Sequence, residues 1–199
     1  MNEDLNSLLS NLRSIHQDIK PISTDMIVVA DWVRFKCRYG CRAYGKHLCC
    51  PPYAPTPEEM RRVVSEYKTA ILARFETLPG PGTDPTHTHH YLMNSVTHLH
   101  KTVYHLEIKA FLSGYYKALG FYAMPCALCE TCVAEEKLEK GEEVSLLDTT
   151  KCKHKDIMRP SMEACGVDVF KTLENAGYSP RVLKSYSEQV VLFGMVLLE

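Results

Sequence analysis

Three thiols fall within seven residues in PCALCETC, residues 125–132: Cys126, Cys129 and Cys132. A C-x2-C-x2-C run lets one tight loop grip three corners of a cubane iron–sulfur cluster. Cys152 follows after a gap of 19 residues and is the candidate for the fourth corner. Zinc more often takes two separate C-x2-C pairs, each giving two ligands of a tetrahedron. Here one segment gives three ligands and the other gives one. Lys151, Lys153, His154, Lys155 and Arg159 surround Cys152. Positive charge there would offset a negative cluster and raise its reduction potential. The spacing therefore points to a [4Fe–4S] cluster, with zinc as the alternative and merely buried or disulfide-bonded cysteines as the plain reading.

A second cysteine segment, CRYGCRAYGKHLCCPPYAPTPEE, spans 37–59. Cys37-x3-Cys41 is followed by the adjacent pair Cys49 and Cys50. Side chains of neighbouring residues are expected to point apart, so only one of that pair should join Cys37 and Cys41. A proline follows Cys50, and a proline directly after the last ligand recurs in cluster motifs. Cys49 and His47 are further possible ligands. Gly40 and Gly45 let the backbone fold closely around such a site. Lys36, Arg38, Arg42, Lys46 and His47 again supply positive charge. The segment lacks the C-x2-C ending of a radical-SAM site. With three cysteines only, one iron would stay open and could bind a substrate, which makes an iron–sulfur enzyme a further alternative.

Composition limits the rest. The chain has 199 residues and net charge −1. That suits one domain with a real hydrophobic core and argues against nucleic acid as a partner. The N-terminus, MNEDLNSLLSNL, is acidic and has no basic n-region, so no secretory signal is expected. The longest apolar run, VVLFGMVLL at 190–198, is far short of the roughly 18 residues of a membrane span. A cytoplasmic protein is expected. Nine cysteines, clustered and odd in number, then favour metal ligation or redox chemistry over a disulfide framework.

The elements that must hold these loops follow from periodicity. Leu5, Leu8, Leu9, Leu12 and Ile15 predict a helix over 4–18. MIVVADW and the residues to Phe35 predict a strand that delivers the chain to Cys37. Thr56-Pro57-Glu58-Glu59 is a capping-box helix start. TAILARFE at 69–76 predicts a strand. PGPGTDPT at 79–86 breaks the pattern. Leu92, Val96, Leu99, Val103, Leu106 and Ala110 predict a long helix over about 88–119. Pro160 and Ser161 open a helix to about Ala176 with Gly177 as its C-cap. The chain closes in a strand at about 189–198 whose continuous apolar run implies burial on both faces. The order predicts a single domain, 1–199, of α+β or α/β class. A small mixed sheet of about three or more strands would be covered by helices, with cysteine loops at 37–56 and 125–155.

His87, His89, His90, His98, His100 and His105 form a histidine-rich stretch that could bind a divalent metal but reads better as surface and helix-flanking residues. Glu163 and Asp168 are expected to cap a helix or to accept hydrogen bonds from Arg159. Tyr115 and Tyr116 read as packing residues. No phosphate-binding glycine loop and no nucleophile elbow is present.

Taken in order, the strand into C-x3-C, YGKHLCCPPYAPTPEEMRR, HLEIKAFLSGYYKALGF, PCALCETC and CKHKDIMRPSMEACGVDVFKT resemble one family: predicted metal-binding proteins classed as a domain of unknown function, small cysteine-rich proteins typical of anaerobes and methanogens. The resemblance covers about residues 26–178. It implies metal binding through the cysteines and no established biochemical role. By that pattern Cys37, Cys41 and Cys50 match the first motif, and Cys126, Cys129, Cys132 and Cys152 match the second. Cys49 stands where the family usually has a small non-cysteine residue. Cys165 falls outside the pattern and reads as a core cysteine. Together, residues and resemblance lead to the expectation of one or two [4Fe–4S] clusters serving electron transfer with a redox partner protein, and no membrane. A zinc-binding structural protein is the alternative.

Overall fold

The computed structural model describes residues 4–79, 85–185 and 187–199, with side chains described throughout these except at 78–91. Four strands form one sheet: β1 (Ile19–Ser23), β2 (Thr69–Pro79), β3 (Leu119–Phe121) and β4 (Gln189–Leu198). Their order is β1-β2-β4-β3, and every pairing is antiparallel. The class is α+β, and the sheet is not mixed. β2 and β4 form its centre, in register from Thr69 opposite Leu198 to Glu76 opposite Val191. Every residue of β4 from Leu192 to Val196, and on through Leu198, is buried. That is the continuous apolar pattern of a strand covered on both faces.

Alternation along β2 splits the core in two. Ile71, Ala73 and Phe75 face helices α1 (Leu5–Ile15) and α4 (Pro85–Leu112), meeting Leu8, Leu12, Leu99, Val103 and Leu106. Ala70 and Leu72 face the opposite layer, with Met60 of α3 (Pro57–Ser65), Met162, Cys165, Val167 and Leu173 of α6 (Val169–Asn175). α4 lies very close to the sheet. A Cβ on Gly194 would stand 2.3 Å from Val103 Cγ2, and one on Gly120 would stand 2.6 Å from Glu107 Oε2.

α3 starts as its sequence requires, with the Thr56–Glu59 capping box complete. Residues 27–36 depart from the strand expected there. The chain is extended at Val29, which bridges Val167, and then forms α2 (Asp31–Gly40). Asp31 occupies the first helical turn, where a negative charge favours the helix. Val33 is buried while Trp32, Phe35 and Tyr39 are exposed, so the period is helical and not two. The strand comes earlier, as β1. Lys20 and Pro21 interrupt its apolar pattern, and proline is tolerated because β1 is an outer strand. The helix expected from Ser161 to Ala176 is broken by Gly166, whose φ is +86°. A short 3-10 turn, Glu163–Cys165, precedes it, and α6 follows with Asp168 capping the Lys171 N–H at 3.0 Å. Gly177, at φ +80°, ends α6 as anticipated. α4 stops at Leu112, and Gly114 at φ +101° turns the chain into β3. The turn-rich stretch at 80–84 lies outside the described residues.

Candidate metal centre

β3 delivers the chain to the second cysteine segment, and three contacts close the base of that loop. Tyr122 N–H donates to the Pro160 carbonyl at 2.9 Å, and Met162 N–H returns to the Tyr122 carbonyl at 2.9 Å. The Tyr122 hydroxyl donates to the Ile157 carbonyl. α4 supports the loop from behind. Thr97 Oγ1 donates to the Ala127 carbonyl and His100 Nε2 to the Ala123 carbonyl, both at 3.0 Å. Buried carbonyls need such donors, and these two side chains fix the backbone on either side of Cys126. His100 is fully buried and stacks on Tyr122 at 4.3 Å.

Within this frame, Cys126, Cys129, Cys132 and Cys152 line one hollow. Cys49 and His47 reach it from the first cysteine loop, and His154 from beside Cys152. Leu48, Leu128 and Met158 supply apolar lining. The thiols feel one another. Burial pushes Cys129 up, and the charges of Cys126, Cys152 and Cys132 add to the shift. Burial also raises Cys152, against the His154 N–H that donates to its sulfur at 3.4 Å. Contact with Cys49 is the main cause that raises Cys126, followed by burial, while His100 opposes the shift. Cys49 touches Cys126, which draws its pKa down, but Cys50 and burial outweigh this and hold it well above the usual thiol value.

A short helix straps the site together. α5 (Val133–Glu139) begins directly after Cys132. Glu135 pairs with Lys46 of the first cysteine loop at 3.0 Å, Glu136 with Lys153 beside Cys152, and Lys137 with Asp148 at 2.9 Å. The exposed pairs contribute little energy singly. Asp148 is different, because its side chain is only 4% exposed. It also accepts from Ser145 N–H at 2.9 Å and from Lys151 at 3.0 Å, capping the 3-10 turn Leu146–Lys151 that leads into Cys152.

Those donors, Ser145 N–H first and then Lys137 and Lys151, hold the Asp148 carboxyl well below its ordinary value of 3.8. With a depressed native pKa, the unfolded chain binds the proton more readily. The stabilisation is complete above about pH 4 and is lost as the pH falls below it toward the native pKa. Thermal unfolding of metal-free protein between about pH 5 and pH 2 should therefore decline more steeply for the native chain than for Asp148→Asn. Parallel declines would contradict the role of Asp148.

The first cysteine segment is held differently. Cys37 lies in the last turn of α2, and Cys41 caps the helix in extended backbone, its N–H donating to the Cys37 carbonyl at 3.3 Å. Burial raises Cys37, followed by the charges of Cys41 and Glu163, against Arg34. Its sulfur lies 3.9 Å from the Glu163 carbonyl oxygen. Arg34 pins α2 to the body, donating to the Pro55 and Ala164 carbonyls at 2.6 Å each. The Glu163 carboxyl is buried, its pKa raised by that burial, and its Oε2 has no hydrogen-bond partner among the described residues. Cys165 is a core residue whose thiol burial pushes up to about 12. Arg159 pairs with Glu107, at 2.6 Å, and neither Glu163 nor Asp168 is its partner in the described hydrogen bonds.

Of the adjacent pair, Cys49 lines the hollow of the second segment and Cys50 does not. Cys49 and Cys50 are both buried, and the Cys49 thiol meets Cys50 on one side and Cys126 on the other. The first loop thus contributes a thiol to the hollow of the second. Nothing in the local spacing of Cys49 signals this, because the contact is made across 77 positions of chain. Asp148, Glu107 and His100 are positioning residues that the cysteine spacing also left unmarked. His98 lies edge-on to Phe75 at 5.9 Å, a packing role. The side chains of His87, His89 and His90 lie outside the described residues.

Among the described residues, no group of three Cys, His, Asp or Glu side chains stands close enough to hold a single metal ion. A cubane binds each thiolate to a different iron and so does not need the sulfurs to meet at one point. By type the donors suit such a group, with five thiols and two imidazoles lining one hollow, but its volume is about 10 Å³, so the sulfurs have to move apart to admit it. No described helix is long and apolar enough to cross a membrane. In comparison with known proteins, residues 20–198 match the family described as predicted metal-binding protein (DUF2284). No curated protein and no solved structure matches the chain.

Proposed function

The chain belongs to the DUF2284 family of predicted metal-binding proteins, and from that premise we propose that it is an iron–sulfur protein of electron transfer. A [4Fe–4S] cluster occupies the hollow, held by Cys126, Cys129, Cys132 and Cys152. Cys37, Cys41 and Cys50 form the candidate ligand set of a second cluster. When bound, such a cluster accepts and donates one electron at a potential set by nearby charge, hydrogen bonds and solvent. The chain's own residues would do the tuning. Lys153 and the His154 N–H place positive charge and a donor beside Cys152, and Leu48, Leu128 and Met158 limit water. The reading suits the cytoplasm, where thiols stay reduced.

One observation carries the proposal: thiols from three separate stretches of chain, around residues 49, 129 and 152, line one hollow. Protein purified without oxygen should be brown, with about four irons and four acid-labile sulfides per cluster. Colourless protein with stoichiometric zinc and no sulfide would overturn the cluster and leave a structural clasp.

A further inference from the structure

Among the described residues, nothing covers one face of α2. Trp32, Phe35 and Tyr39 recur at i, i+3 and i+7 and are 49%, 60% and 74% exposed. Phe35 and Tyr39 stack at 6.1 Å, Lys36 Nζ lies 5.0 Å from the Trp32 ring, and the Arg38 guanidinium lies 5.6 Å from the Tyr39 ring. Large aromatic rings with arginine are the residues that dominate protein interfaces. Lys36, Arg38 and Arg42 have no ion-pair partner among the described residues, while Asp31 is engaged by Arg61 at 3.0 Å. The face is therefore both aromatic and positively charged. Its helix is rigidly seated through Arg34, so docking on it would order little.

We infer that this face of α2 docks an acidic electron-transfer protein, with carboxylates meeting Lys36 and Arg38 on the helix and Arg42 just past its end, and apolar groups covering Phe35 and Tyr39. The electron-transfer character of the partner rests on the proposed function; its acidity rests on the charges of α2. The same helix carries Cys37 in its last turn and is capped by the exposed Cys41, so a partner seated there lies beside the first cysteine pair. A second copy of this chain would set the same three cations against themselves, which is repulsive. A bilayer would take the rings while the cations reach away from them, whereas here Lys36 and Arg38 lie over the rings. The net charge of −1 and the small extent of the patch argue against nucleic acid.

The test measures binding by calorimetry, with an acidic bacterial-type [4Fe–4S] ferredoxin as the probe. Basic cytochrome c and phosphatidylserine vesicles serve as comparisons. The ferredoxin should bind at low salt, and its affinity should fall roughly tenfold or more on going to physiological salt. The double variant Lys36→Glu/Arg38→Glu should lose about tenfold or more, and Phe35→Ala should lose affinity without changing the salt dependence. All these positions are exposed, and unchanged circular dichroism and metal content would confirm that the variants fold. Equal affinity in native and charge-reversed protein, tighter binding to cytochrome c or to vesicles, or salt-induced dimerisation through α2 would each overturn the inference. The two proposals fail separately. Ferredoxin binding through α2 by protein without iron would remove the cluster and keep the docking face. A cluster-bearing protein that binds no ferredoxin would do the reverse.

Discussion

Serine at Cys129 is expected to empty the hollow of metal. Outer-shell changes at metal sites already cost about 10–100-fold in affinity, and loss of a thiolate ligand should exceed that. Cys126→Ser and Cys132→Ser should behave alike, because these three sulfurs come from one tight loop fixed by Thr97, His100 and α5. Cys165→Ala should keep its metal, since that thiol is packed in the opposite core. The informative pair is Cys49→Ser and Cys152→Ser. Both thiols line the hollow, and a cubane has four corners for five sulfurs. Full metal content in Cys49→Ser with loss in Cys152→Ser assigns the fourth corner to Cys152; the opposite result gives it to Cys49. Iron and sulfide analysis of protein purified without oxygen reads each case. Retention of full metal by Cys129→Ser would remove the hollow as the site.

Glu107→Ala is expected to be strongly destabilising. Glu107 is 6% exposed and joins three parts of the molecule. It rises from α4, accepts from the Gly120 N–H of β3 at 2.9 Å, and pairs with Arg159 through contacts at 2.6, 3.0 and 3.2 Å. Arg159 in turn donates to the Asp156 and Met158 carbonyls at 3.1 and 3.0 Å. Removing one partner of a buried pair leaves the other charge uncompensated and costs about 3–5 kcal/mol. For a chain of this size that lowers Tm by roughly 10 °C. Because Met158 lines the hollow, metal affinity should fall as well. Glu107→Gln keeps an acceptor for Gly120 and should lie between the two. Differential scanning calorimetry of metal-free protein isolates the folding effect, and a loss below about 1 kcal/mol would contradict a buried, shared ion pair.

Local structure written in short spacings was legible in the sequence. The C-x2-C-x2-C loop, the Thr56–Glu59 capping box, the stripe of α4 and the apolar run of β4 all state their local structure. What was not legible is contact between distant segments. Cys49 meets Cys126 where the Tyr122–Ser161 bridge closes one loop and the Lys46–Glu135 pair spans from the other to α5. α2 was misread because Val28, Val29 and Trp32 look like strand residues one by one, while the helical spacing of Trp32, Phe35 and Tyr39 sets the outcome. β1 was hidden because an outer strand tolerates Pro21 and Lys20, which spoil the apolar alternation.

Those outer strands bear on what happens when metal is lost. β1 has five residues with proline at its centre, and β3 has three. Long, flat, unpaired edges are templates on which other chains add strands and aggregate, whereas short edges and proline block that addition. The cysteine loops are the parts that metal would hold, and they lie outside β2 and β4. Demetallated protein should therefore loosen at its loops, while its two outer strands stay too short to seed sheet growth along their own length, and so remain dispersed long enough to be loaded again.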